Sequence, residues 1–211
     1  MKELKLKVCG MRDAHNIAAI AELLPDYLGF VFVPGSPRDA TGVVSAETVA
    51  VLPEGVLPVG VFQDAAPELL YETVSSLGLR AIQLHGSEDE EYVAGVREIM
   101  PDVALWRAVT VRSVEDVAAV ADGGDLLDMY VLDSGRGGSG VPFDWSWLKE
   151  YRASTPFLLA GGIGLENKDE AIEAAREAEQ CVGLDVSSRL ETKPGVKNVE
   201  MVRKLKKRMA A

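Results

Sequence analysis

At 211 residues, 47% hydrophobic and 26% charged, the chain has the size and composition of one globular domain with a large core. No apolar run approaches the roughly 20 residues of a membrane helix, and a net charge of −11 sets up a field that repels nucleic acid. Strand-like alternation begins at Leu4, leaving no room for a secretory leader, so the expected compartment is the cytoplasm.

In chain order, the first predicted strand runs from Leu4 to Cys9, and the helix after it from Asp13 to Leu24, with Asp13 as its cap. The second strand, Tyr27 to Phe32, leads into Gly35-Ser36-Pro37-Arg38, where Arg38 offers a planar fork suited to a carboxylate or to a surface salt bridge. The third strand is Leu57 to Phe62; its helix, Pro67 to Leu77, opens on a first-turn proline and ends before Gly78. Gln83 and His85, at the end of the fourth strand (Arg80 to Leu84), share one side of it by alternation. Val103 to Ala108 is the fifth strand. The sixth, Met129 to Asp133, closes on a carboxylate after buried apolar residues and is followed by the glycine-rich loop 135–140, suited to wrap a ligand. The seventh strand, Pro156 to Ala160, runs into Gly161-Gly162-Ile163-Gly164, then a helix from Asn167 to Glu179. The eighth, Val182 to Val186, carries Asp185 and ends at Ser187-Ser188. Arg203, Lys204, Lys206, Lys207 and Arg208 crowd the end of a terminal helix, where cations complement its dipole.

Strands recurring every roughly 23 to 30 residues, each followed by a helix, predict one (β/α)8 barrel over residues 1–211. An open doubly wound sheet would put its phosphate-binding glycines after the first strand, whereas here they follow the seventh. Glycine backbone and serine hydroxyls on adjacent strand ends, Gly161-Gly162 and Ser187-Ser188, predict a phosphate cradle. Cys9 ends the first strand and is expected at the barrel mouth, either as a small buried hydrophobe or as a base. An ordinary thiol is only about 3% thiolate at pH 7, so a base there needs cationic surroundings. Asp133, a carboxylate after buried apolar residues, either binds loop N-H groups or serves the mouth's chemistry, and His85 is assigned an orienting role. Cys181 is expected near the opposite face, as a packed residue.

The chain resembles the phosphoribosylanthranilate isomerase family almost end to end. The likeness is carried by Lys7-Val8-Cys9-Gly10-Met11-Arg12, Leu28-Gly29-Phe30-Val31-Phe32, Ser36-Pro37-Arg38, Val59-Gly60-Val61-Phe62, Ile82-Gln83-Leu84-His85-Gly86, Gly137-Gly138-Ser139-Gly140, Phe143-Asp144-Trp145, Leu159-Ala160-Gly161-Gly162, Asp185-Val186-Ser187-Ser188 and Pro194-Gly195-Val196-Lys197. The resemblance implies an Amadori rearrangement in tryptophan biosynthesis, without cofactor or metal, on a phosphorylated small molecule. It implies Asp133 as general acid and Cys9 as general base, with a bell-shaped rate profile belonging to the pair. It further implies Arg38 on the anthranilate carboxylate, Gly161, Gly162, Ser187 and Ser188 on the phosphate, and Gln83, His85 and Asp185 as pocket residues. Gly35, where a lysine is common, and Asp39-Ala40, in place of an aromatic, depart from the family pattern. Other phosphosugar barrels are expected to carry aspartate where Cys9 stands, and a non-catalytic phosphate binder is the rival of another class. A monomer and a homodimer are both open.

Overall fold

The computed structural model describes residues 2–135 and 141–211, so all but the first residue of the glycine-rich loop 135–140 lies outside the described residues. Eight parallel strands close into a barrel: β1 (Lys5–Cys9), β2 (Tyr27–Phe32), β3 (Leu57–Phe62), β4 (Ala81–Leu84), β5 (Ala104–Thr110), β6 (Met129–Asp133), β7 (Phe157–Leu159) and β8 (Cys181–Val186). β8 returns to β1 with Lys7 opposite Asp185, which closes the cylinder. Each strand lies within two residues of its predicted bounds. The largest difference is at β5, where pairing with β6 carries the ladder on to Thr110.

Helices α1 (Ala14–Ala21), α2 (Ala46–Ala50), α3 (Pro67–Leu77), α4 (Glu90–Ile99), α5 (Val114–Ala118), α6 (Lys168–Glu177) and α7 (Val199–Met209) surround it. Asp13 caps α1 as predicted, accepting the Asn16 N-H. The helix stops short of Leu24, however, because Pro25 disfavours a helical residue before it, and Leu24 turns to φ +52°. α2 and α5 are only five residues each, and a 3-10 turn (Trp145–Glu150) stands after β6 in place of a full helix. The basic stretch ends α7, where Lys206 donates to the Leu23 carbonyl at 2.5 Å and Arg208 to Asp169 at 2.5 Å. Beyond β8 a hairpin absent from the strand prediction, β9 (Glu191–Lys193) and β10 (Val196–Lys197), turns through Pro194-Gly195. No helix among the described residues is long and apolar enough to cross a membrane.

Alternation along the strands sorts side chains into two cores. Leu6, Val8, Leu28, Phe30 and Leu184 pack outward under the helices. Tyr27, Val59, Ala81, Trp106, Met129, Val131, Leu158 and Ala160 pack inward, mostly from the N-terminal ends of the strands, and fill the barrel axis. On β1 the inward positions are Lys5, Lys7 and Cys9. Lys5 Nζ meets the Tyr27 hydroxyl at 3.0 Å, while Lys7 is completely buried in the barrel. Apolar filling stops at this level, and polar side chains take over toward the C-terminal ends.

Candidate active site at the barrel mouth

A cavity of about 610 Å³ opens at the C-terminal ends of the strands. Cys9, Arg38, Gln83, His85, Asp133, Gly161, Gly162, Asp185, Ser187 and Ser188 all line it, so the folded chain brings together every site residue singled out from the sequence. Most come from different strand ends, far apart in sequence. A larger groove of about 780 Å³ lies outside the barrel between the Trp145–Glu150 turn and α6. Its lining sets Asp144, Glu170, Glu173, Glu177 and Glu179 against Lys149 and Arg152, an acidic balance that opposes a phosphate ligand.

Cys9 sits half-buried at the end of β1. Gly29, beside it on β2, leaves room for the sulfur: a Cβ there would fall 2.7 Å from Sγ. Lys7, two residues earlier on the same side, donates to Asp185 Oδ2 at 2.7 Å and to Gln83 Oε1 at 2.8 Å. That bond fixes the Gln83 amide. Its Nε2 then lies 3.5 Å from His85 Nδ1.

The electrostatics around the thiol differ from expectation. Burial pushes the Cys9 thiol above its ordinary value; Lys7 and Lys197 pull it down and Asp185 pushes it further up, leaving it raised. Cationic surroundings are present, but they offset the burial only in part, so the resting side chain is a thiol. Burial works to lower Lys7, yet its partners, the Asp185 carboxylate first among them, outweigh it and hold the ammonium above its ordinary value. Burial raises Asp185 as well, more than Lys7 lowers it, with Asp133 adding to the rise.

Arg38 is not an open fork. Its Nε and Nη2 donate to the two carboxylate oxygens of Glu191 at 2.9 and 2.7 Å, a bidentate pair that is itself nearly buried. Lys197 grips the same carboxylate at 2.5 Å and reaches the Gly10 carbonyl at 3.4 Å. Burial works against ionising Glu191, but Arg38 and Lys197 prevail and hold it below its ordinary value. Among the described residues the Nη1 edge of Arg38 has no hydrogen-bond partner, so that edge is the one left to receive a ligand carboxylate. Of the departures noted around Arg38, Asp39 takes the Thr41 N-H on its Oδ1 at 3.0 Å and Ala40 is fully buried.

Asp133 accepts the Gly135 N-H at 2.9 Å on Oδ1 and faces the cavity. After β7, Gly161 and Gly162 adopt φ +84° and +67°, and a Cβ on Gly161 would fall 2.6 Å from the Ser134 nitrogen. Asn167 braces this loop, accepting the Gly164 N-H and donating to the Gly162 carbonyl, instead of capping α6. The Ser187 hydroxyl, expected as an anion donor, is committed to the Cys9 carbonyl at 3.0 Å. Donors for an anion here are therefore backbone N-H groups and Ser188, with Arg189, paired to Glu166, alongside. Cys181, as expected, is packed away from the site, and its thiol is pushed up by burial to about 11. No group of three or more His, Cys, Asp or Glu side chains among the described residues is arranged to hold a metal.

Lys7, Asn167, Glu191 and Lys197 escaped the sequence reading. Lys7 carried a signal, since alternation puts it on the same side as Cys9. Glu191 and Lys197 carried a weaker one, the Pro194-Gly195 turn that folds them together.

The family profile described as N-(5'phosphoribosyl)anthranilate (PRA) isomerase matches residues 6–208. A protein of that name from Thermosynechococcus vestitus is 37% identical over 203 residues, 94% of this chain and 86% of its own. Among solved structures, the phosphoribosyl anthranilate isomerase of Thermus thermophilus superposes with a TM-score of 0.82 at 28% identity, covering 98% of each chain. A phosphoribosyl anthranilate isomerase solved in complex with reduced 1-(o-carboxyphenylamino)-1-deoxyribulose 5-phosphate superposes at 0.78, again at 28% identity and 98% of each chain.

Proposed function

The chain belongs to the phosphoribosylanthranilate isomerase family, and on that footing we propose that its barrel mouth converts N-(5-phosphoribosyl)anthranilate to 1-(2-carboxyphenylamino)-1-deoxyribulose 5-phosphate. The observation that carries this reading is the gathering of Cys9, Asp133, Arg38 and the loops after β7 and β8 around one cavity. Such an elongated substrate needs an anion site at each end and an acid and a base between them.

In this reading the phosphate lies on the backbone N-H groups after β7 and β8, and the anthranilate carboxylate meets the Nη1 edge of Arg38. Asp133 gives a proton to the ring oxygen, and the glycosylamine opens to a protonated Schiff base at C1. A cation then stands beside Cys9. It favours loss of the thiol proton to solvent, from which the thiol is restored after turnover, adding to Lys7 and Lys197 what the resting site lacks. The thiolate removes the proton on C2, its electron pair moves toward the iminium, and an enol-amine results. Every bond change is a proton transfer or an electron shift within the substrate.

Purified protein mixed with phosphoribosylanthranilate should quench the substrate's anthranilate fluorescence well above the uncatalysed rate. A rate equal to the buffer control would overturn the proposal.

A further inference from the structure

We propose that Asp185 is a second proton acceptor in the reaction, taking the proton of the sugar's C2 hydroxyl onto Oδ1 as the enol-amine collapses to the ketone. The inference rests on the substrate reading given above and assigns a step that neither Cys9 nor Asp133 covers.

Three buried side-chain atoms among the described residues have no hydrogen-bond partner, Trp145 Nε1, Arg176 Nε and Asp185 Oδ1; only the last belongs to a residue lining the barrel-mouth cavity. Asp185 is 9% exposed, and Lys7 occupies its other oxygen. A buried acceptor left unsatisfied costs about 1–3 kcal/mol, more when charged, and a protein that keeps one beside its reacting groups holds it ready for a ligand donor. Which donor follows from position. Lys7 and Asp185 are cross-strand neighbours, and Lys7 lies two residues below Cys9 on the same side of β1, so Asp185 stands close to the thiol. With C2 against the Cys9 sulfur, the nearest substrate donor to Asp185 is the hydroxyl on C2 itself.

The step balances without any added reagent. Cys9 already holds the proton taken from C2. The O-H bond of the C2 hydroxyl breaks, its proton passes to Asp185 Oδ1, and the freed pair forms the C2 carbonyl. The π pair between C1 and C2 takes the proton from the Cys9 thiol and forms the new C1-H bond. C1 is reduced and C2 oxidised within one molecule. Asp185 then releases its proton to solvent, and Asp133 regains from solvent the one it gave to the ring oxygen. Burial, which raises Asp185, suits it to accept a proton, and the Lys7 ammonium keeps its charged form available.

Asp185→Asn tests this through how the enol-amine partitions. In deuterated water the variant should still open the ring and lose the C2 proton, so residual substrate should gain deuterium at C2 by mass spectrometry. Product formation should fall by about 10²-fold or more, and the ratio of exchange to product should rise by a similar factor. That ratio is independent of how much of the variant folds. Neutralising a buried pair on both sides is better tolerated than removing one partner, so Lys7→Met/Asp185→Asn provides a second variant with the same expected ratio. Unchanged turnover, or exchange and turnover falling together, would overturn the proposal; the latter includes the case in which Asp133 takes the hydroxyl proton. Wild-type protein that makes no product would instead count against the substrate reading.

Discussion

The barrel interior is built twice over, and its two parts use the same strand alternation for opposite ends. Toward the N-terminal ends of the strands, Tyr27, Val59, Trp106, Met129 and Leu158 fill the axis with apolar bulk, and Tyr27 and Trp106 meet edge to face at 4.9 Å. Toward the C-terminal ends, Lys7, Gln83, Cys9, Asp133 and Asp185 leave a cavity, with a buried ion pair and an unsatisfied carboxylate oxygen. Packing a site with charges stabilises less than filling it with hydrocarbon. The lower part therefore holds the barrel closed, and under the proposed function the upper part forgoes that stability for chemistry.

The comparison predicts that substitutions in the two parts separate activity from stability. The largest effect should come from Cys9→Ser and Asp133→Asn, each lowering kcat by about 10³-fold while leaving the thermal midpoint nearly unchanged. Wild-type turnover in either would remove its assigned role. Trp106→Ala, in the apolar part, should cost about 3–5 kcal/mol in denaturant unfolding while the folded fraction keeps its kcat. A large loss of kcat with stability intact would erase the distinction between the parts.

Lys7→Met sits at the boundary and should move both readouts. Lys7 lowers the Cys9 thiol, so without it the thiol rises further and the limb of kcat/KM that increases with pH shifts to higher pH. Activity near neutrality should fall about tenfold or more and partly recover in alkaline buffer. A limb that stays in place would show that Lys7 serves structure alone. Arg38→Met should act least on chemistry, raising KM about tenfold or more with a smaller change in kcat, because a charged hydrogen bond contributes about 1.5–3 kcal/mol. Stability should respond as well. Glu191 is held below its ordinary value of 4.5, so its contribution is complete above that pH and is lost as the pH falls through the lower folded value. Arg38→Met should shrink this acid-side loss, as seen in unfolding curves taken across that range.

Strand positions and the mouth were legible because period-two alternation and glycine-rich strand ends are local signals. Tyr27–Phe32, Leu57–Phe62 and Met129–Asp133 were predicted with the bounds they have. The pairing around the site was not legible. Arg38 meets Glu191 across 153 positions and Lys7 meets Asp185 across 178, and only barrel closure brings them together. That is why Arg38 is read from the sequence as a fork for a carboxylate or for a surface salt bridge, without the nearly buried bidentate partner it has, and why Lys7 reads there only as one beat of an alternating strand. The committed Ser187 hydroxyl has the same origin, since its acceptor is the Cys9 carbonyl on the neighbouring strand.

The most direct measurement is a crystal structure with reduced 1-(o-carboxyphenylamino)-1-deoxyribulose 5-phosphate bound. The phosphate should lie on the N-H groups of the loops after β7 and β8, the carboxylate on Arg38, and C2 between Cys9 and Asp133. A ligand bound in the groove beside Trp145, or one turned so that its phosphate meets Arg38, would contradict the account.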